Sequence, residues 1–262
     1  MEITKNGNLE MKTDIIIGHS NTHDSRDRNL KFIVTRYQKL LPSAKITIVE
    51  QNTESDLSEL SINHILRKTP EPFDYSRGYG FNEGAKVTDG DYLIFADNDI
   101  LLHEELLNNF EKLVNGYDFF VPSQKFLNIS RDGTKKVITG DNLDEGWLGR
   151  NRPRVADNGA GGVCIMSRKG FYEVYGWEPS IGSWCPEDEL MRSKVDTFGL
   201  KIGRSPYDMY HLDHDTKAHR RLARINDKKQ WKEMVEKIAV FKQMNKPQLL
   251  DHYEKIGEGH CK

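Results

Sequence analysis

The stretch Gly90-Asp91-Tyr92-Leu93-Ile94-Phe95-Ala96-Asp97-Asn98-Asp99-Ile100 decides how this chain is read. Tyr92-Leu93-Ile94-Phe95-Ala96 has the length and composition of a buried strand. It delivers two carboxylates flanking an Asn to the strand's carboxyl end. Core packing gives no reason for acids there, because a buried unpaired carboxylate is costly. A hard divalent cation does, since it takes oxygen ligands and shares them with substrate phosphates. The competing reading is a polar turn in which Asp99 caps a helix beginning near His103.

Upstream, residues 13–18 form a β-branched run ending in Gly18, a second buried strand. From Asn29, the positions Leu30, Ile33, Val34, Tyr37, Leu40 and Leu41 recur at helical spacing until Pro42. Ile46-Thr47-Ile48-Val49 predicts a strand ending at Glu50-Gln51-Asn52. Asp56 is placed to cap a helix carrying Leu57, Leu60, Ile65 and Leu66. Residues 82–87 read as a helix leading into the strand before Asp97. Downstream come a helix bearing Leu106, Leu107, Phe110, Leu113 and Val114 and a strand at Phe119-Phe120-Val121. Residues 123–160 read as a polar, irregular or hairpin insertion. A strand at 161–166, a helix at 168–175, an acidic helix start at Pro186-Glu187-Asp188-Glu189 and a strand at 201–203 follow. The last 45 residues are charged and helical. Alternating strands and helices predict an α/β fold, a mainly parallel central sheet with flanking helices and a short helical C-terminal extension. In such sheets ligands gather beyond the carboxyl ends of the strands, where Gly18-His19-Ser20, Glu50-Gln51 and Asp97-Asn98-Asp99 share one crevice.

Bulk properties narrow the function. The 262 residues suffice for one large α/β domain with an appendage, here 1–216 as the catalytic domain and 217–262 as an extension packed on or covering the site. A net charge of −2 argues against a global bias toward nucleic acid or membrane. Cys164, Cys185 and Cys261 are odd in number and widely spaced, which fits a reducing compartment without a disulfide framework. Residues 1–8 lack the apolar core of a signal peptide, and no apolar run approaches the length of a membrane span. The expected location is cytoplasmic.

Three further clusters carry chemistry. Trp184-Cys185-Pro186-Glu187-Asp188-Glu189 sets three carboxylates at a helix start, where the dipole stabilises them. Trp184 beside them suits stacking on the apolar face of a sugar, and either Glu187 or Asp188 suits a general base toward a hydroxyl. In Tyr210-His211-Leu212-Asp213-His214-Asp215, two imidazoles share one side of a turn, as metal ligands do. Residues 217–232 carry seven Lys or Arg against one Asp, a solvated helix face or a site for a diphosphate or nucleic-acid backbone. Arg26, Arg28 and Arg77 sit in polar loops suited to gripping phosphate. Gly78-Tyr79-Gly80 does not directly follow a strand, so it is no dinucleotide fingerprint.

In order and spacing, these pieces resemble the A-type fold glycosyltransferases that use nucleotide sugars, in the β-1,4-galactosyltransferase, chondroitin polymerase and polypeptide GalNAc-transferase group. The resemblance runs over residues 13–215. It rests on Val49-Glu50-Gln51, Arg77-Gly78-Tyr79-Gly80-Phe81-Asn82-Glu83-Gly84-Ala85, the Asp97-Asn98-Asp99 segment, Gly161-Gly162-Val163, Gly182-Ser183-Trp184-Cys185-Pro186-Glu187-Asp188 and the His211/His214 pair. It implies a nucleotide-sugar donor, a UDP-sugar, with Mn²⁺ or Mg²⁺ on its diphosphate. Asp99 matches the metal end of the motif and Asp97 the end nearer the ribose, with His211 first and His214 second as later ligands. Glu50, Arg77, Asn82, Asn98, His19 and Gly162 fall at donor-side positions. Trp184 and Glu187 fall on the acceptor side, with Asp188 as base and an inverting outcome. Cys185-Pro186 replaces the two glycines of the family pattern, which alters the acceptor loop. The acceptor is expected to be a glycan or polysaccharide. A hydroxymethylated DNA base is an alternative within the same chemistry, and a non-catalytic carbohydrate- or nucleotide-binding domain is one outside it. The missing anchor and disulfides point to a bacterial or viral relative, and residues 217–229 to a lid over bound donor.

Overall fold

The computed structural model describes residues 11–20, 24–52, 57, 62–71, 73, 75–140, 142–143, 148, 154–155, 161–182, 186–214 and 217–256, with the side chains of 154–155, 217–228 and 230 left aside. Among the described residues, seven strands form the main sheet: β1 (Thr13–His19), β2 (Lys45–Glu50), β3 (Asn63–Leu66), β4 (Tyr92–Asp97), β6 (Phe119–Val121), β9 (Val163–Ser167) and β10 (Ile202–Arg204), in the order β10-β6-β9-β4-β1-β2-β3. Neighbours run parallel except β9, which is antiparallel to both β4 and β6. The predicted mainly parallel α/β sheet is therefore present. Ile15, Ile16, Ile17, Leu93, Ile94 and Phe95 are fully buried, as expected where both faces are covered.

Helix α1 (Asp24–Leu40) buries Leu30, Ile33, Val34 and Tyr37 on one face of the sheet. On the other, α2 (Arg77–Lys86) starts at Ser76, whose hydroxyl accepts from the Tyr79 amide. It crosses the sheet so closely that a Cβ on Gly84 would lie 2.3 Å from Ile16 Cγ2. Helices α6 (Arg168–Glu173) and α7 (Glu187–Phe198) complete that layer, and α7 ends at Gly199, in the left-handed conformation of a glycine cap.

A second sheet, β5-β11-β7-β8, joins β5 (Ile100–Leu102), β7 (Lys125–Asn128), β8 (Arg154–Val155) and β11 (Met209–His211). Its strands are two to four residues long, too short for a sequence pattern to announce, and residues 123–160 also contain α5 (Arg131–Ile138). C-terminal helices α8 (Lys217–Gln243) and α9 (Lys246–Ile256) bury Ile238, Phe241, Leu249 and Tyr253 in the same core cluster as Leu190 and Met191 of α7. Lys242 Nζ pairs with Glu189 at 3.0 Å, and His252 lies 3.3 Å from the buried Glu178 carboxylate. No helix among the described residues is long and apolar enough to cross a membrane.

Two expectations are corrected, and the competing reading of Asp99 is set aside. Ile65 and Leu66 belong to edge strand β3 rather than a helix, because Thr47 to Glu50 offer them a parallel partner and His64 Nε2 reaches Glu50 at 2.8 Å. Asp99 caps no helix. The chain continues as β5, and His103 takes the capping role by accepting from the Glu105 amide. The helix expected across 106–114 is two, α3 (Glu104–Asn108) and α4 (Phe110–Val114), divided at Asn109.

Candidate active site

The register of β1 and β4 brings Gly18 beside Asp97, and β9 enters the same end of the sheet through Gly161-Gly162. Gly162 has φ +85, and its carbonyl accepts from the Asp97 amide at 2.7 Å. A Cβ there would sit 2.7 Å from Ile100, so a side chain is excluded by both backbone and space. Beyond these strand ends opens a crevice of about 380 Å³ lined by Asp97, Asn98, Asp99, Arg77, Glu187 and Asp188, with Arg26, Tyr75, Gly162, His211, His214 and Trp231 around them.

The second sheet assembles the His/Asp cluster. Pairing of β11 with β5 sets His211 opposite Ile100, and the Leu212 amide donates to the Asp99 carbonyl at 2.8 Å. His211 Nε2 and His214 Nε2 then lie 3.6 and 3.3 Å from the same oxygen, Asp99 Oδ2. One ligand atom from each of the three residues fits within 4.8 Å of the others. His211 Nδ1 is 3.1 Å from Asn128 Oδ1 on β7, so it carries the proton and turns Nε2 toward Asp99. This is the outer-shell arrangement that orients metal-binding imidazoles. Burial pushes the Asp99 carboxyl up, but His211 beside it outweighs this, aided by Arg26 and His214, and holds it well below the usual range. Burial lowers His211, while the Asp99 carboxylate more than compensates and raises it. An oxygen and two imidazoles around one point suit a first-row divalent ion.

Asp97, expected at the end nearer the ribose, is held by Arg77. Arg77 Nε donates to Asp97 Oδ1 at 2.7 Å and Nη1 to Glu187 Oε1 at 3.0 Å, tying the end of β4 to the start of α7. Its guanidinium also lies 5.0 and 5.5 Å from the Phe81 and Trp177 rings. Burial raises the Asp97 carboxyl despite Arg77, and it pushes Glu187 up to about 7, with Asp188 adding to the rise. Asp188 Oδ1 accepts from the Glu189 amide at 2.9 Å. Oδ2 faces Gly161, 3.2 Å from where a Cβ would sit there.

Asn98 is held by a neutral histidine. Burial pushes His19 down to about 4. Its Nε2 lies 3.1 Å from Asp27, which favours the tautomer protonated there, so Nδ1 accepts from Asn98 Nδ2 at 2.7 Å. Asn98 Oδ1 is thereby left as an acceptor, buried and without a partner among the described residues.

Several sequence-predicted residues serve the scaffold and do not line the crevice. His19 stands behind Asn98. Glu50 is fully buried against His64 and Asn52. Asn82 clamps Trp177 through both backbone groups at 2.9 Å. Trp184 and Cys185 lie outside the described residues, as do the side chains of most of the basic run. Sequence reasoning missed Tyr75, Asn128 and Trp231. Asn128 and Trp231 reach the site only through β7 pairing and α8 docking, and nothing local marks them.

No protein-family model matches the chain, and neither does any curated protein. Solved structures do. A mutant of Drosophila beta1,4-galactosyltransferase 7, in complex with manganese, UDP-Gal and xylobiose, is similar at a TM-score of 0.52 and 14% identity, over 89% of this chain and 80% of that one. S. aureus TarS 1–349 is similar at a TM-score of 0.54 and 14% identity, over 82% of this chain and 64% of that one. This likeness is one of architecture, and with the sheet order above it gives the chain the A-type glycosyltransferase fold.

Proposed function

We propose that the chain is a metal-dependent glycosyltransferase that moves a sugar from a nucleoside diphosphate donor, a UDP-sugar, to an acceptor hydroxyl on a glycan. The observation that carries this reading is the meeting of two carboxylate groups in one crevice: Asp99 with His211 and His214, and Glu187 with Asp188. Asp99, His211 and His214 fit a divalent cation, Mn²⁺ or Mg²⁺. Such an ion supplies positive charge where a leaving diphosphate accumulates negative charge. Arg26 lines the same crevice and adds a cation for the phosphates. Asn98 Oδ1 offers an acceptor for a hydroxyl of the donor.

In the same crevice, Asp188 takes the proton of the attacking acceptor hydroxyl. Glu187 is bound to Arg77 and suits a holding role, accepting from a neighbouring hydroxyl of the acceptor. The hydroxyl oxygen bonds to the anomeric carbon as the bond to the diphosphate oxygen breaks, and the configuration inverts. A C-terminal extension from residue 217 completes the catalytic domain, and the wall that α8 builds at the crevice supports this division.

The test is release of UDP from UDP-hexoses with Mn²⁺, with and without excess chelator. Metal-dependent release that falls about a hundredfold or more in Asp188→Asn, with UDP binding kept, is expected for loss of a general base. Turnover unchanged by chelation, or by Asp188→Asn, overturns the reading. A product of retained anomeric configuration by NMR overturns the single-displacement geometry.

A further inference from the structure

Trp231 stands in the crevice wall, yet it comes from the C-terminal helix rather than from the sheet. Trp231, Met234, Ile238 and Phe241 recur at helical spacing on α8, so they share one face. Ile238 and Phe241 are almost fully buried, and Met234 packs against the same core cluster. Trp231 lies on that docking face but is 50% exposed. The helix has run past the core and carries the indole out over the crevice. Its second half is anchored by Lys237 Nζ on the Ser180 carbonyl at 3.3 Å and by the Lys242–Glu189 pair, which fixes the part of the helix that follows Trp231.

Pro186, Glu187 and Asp188 line the same crevice as the indole. An exposed aromatic ring and two carboxylates in one crevice are the composition of a saccharide subsite: the ring covers the C–H face of a pyranose while the acids take its hydroxyls. A phosphate or an acidic polymer fits poorly beside these carboxylates. We propose that Trp231 is the platform of the acceptor subsite, stacking a saccharide ring whose hydroxyl faces Asp188. This rests on the reading of the crevice as a glycosyltransferase site, and it identifies the acceptor class as carbohydrate.

The test separates the two claims by reading glycan binding apart from turnover. Full-length protein with Mn²⁺ and UDP is applied to a printed array of bacterial, plant and animal glycans. The strongest binder is then titrated against wild type, Trp231→Phe and Trp231→Ala. The expected order is wild type, then Phe within a few-fold, then Ala weaker by at least about tenfold, as loss of one aromatic contact requires. Circular dichroism checks that both variants are folded. If Ala does not fold, protection of the Trp231 indole from acrylamide quenching by the glycan, read as the difference between wild type and Trp231→Phe, decides the matter. Equal binding by wild type and Ala, no such protection, or no glycan bound on the array overturns the platform. A platform that holds while UDP-hexoses are not cleaved overturns the transferase reading alone.

Discussion

Replacing Arg77 by Met removes the charge that joins the two halves of the crevice and keeps a side chain of similar length against Phe81 and Trp177. Arg77 is 9% exposed, Glu187 14% and Asp97 32%, so the lost cation leaves two carboxylates largely out of water. Breaking a buried pair by deleting one partner costs about 3–5 kcal/mol, because the stranded charge is uncompensated. Asp97 can recover hydration through its exposed third, which puts the expected loss near the lower end, about 3 kcal/mol. Its pH dependence follows from the direction of the shifts. Burial already raises Asp97 and pushes Glu187 up to about 7, and Arg77 opposes both rises. Without Arg77 both rise further, so the folded variant binds more protons than the unfolded chain over a wider range. Its stability then falls more steeply as pH increases. The gap between wild type and variant is therefore largest at pH 8, where both groups must be ionised, and shrinks at pH 5, where the folded variant holds its protons. Urea titrations followed by circular dichroism at both pH values, in chelator so that metal plays no part, measure it. Arg77→Lys keeps the charge but not the two-pronged geometry, and is expected to fall between. A gap equal at pH 5 and pH 8, or below about 1 kcal/mol at pH 8, refutes the claim that Arg77 acts by charge.

Asp99→Asn is expected to abolish stabilisation by Mn²⁺, which for wild type at a hundredfold excess over Kd amounts to about 2.7 kcal/mol. An equal thermal shift in the variant removes Asp99 from the ligand set. Gly84→Ala places a methyl group 2.3 Å from Ile16 Cγ2 and 3.1 Å from Val49 Cγ2, both on fully buried residues. Overpacking of about 1–3 kcal/mol outweighs the gain in helix propensity, so calorimetry should find a lower Tm. An unchanged or higher Tm contradicts the close approach of α2 to the sheet.

The central sheet was legible because its strands are locally distinctive. Ile15 to Ile17, Ile46 to Val49 and Leu93 to Ala96 are apolar runs bounded by polar turns, and each is buried on both faces. β3 was misread because Asn63-His64-Ile65-Leu66 is an edge strand whose side chains are only partly buried. Its pattern carries little information, and its state depends on β2 supplying the partner. The second sheet was hidden for a different reason. Three-residue strands have no measurable period, and β11 exists only because β5 and β7 flank it.

The same distinction runs through the site. Asp99, His211 and His214 were recognisable as chemical types, and short-range order kept the two histidines together. What joins them to Asp99 is the pairing of His211 with Ile100, a contact 111 residues long in sequence. Asp97 was recognisable too, but its partner was not, since nothing local links Arg77 at the head of α2 to Glu187 at the head of α7. That pair of ion pairs makes Asp97 and Glu187 share one guanidinium. Any ligand that draws Asp97 away from Arg77 leaves the remaining cation charge to Glu187, and so favours its ionised form next to Asp188. Binding beside Asp97 thus acts electrostatically on Glu187 through the guanidinium they share.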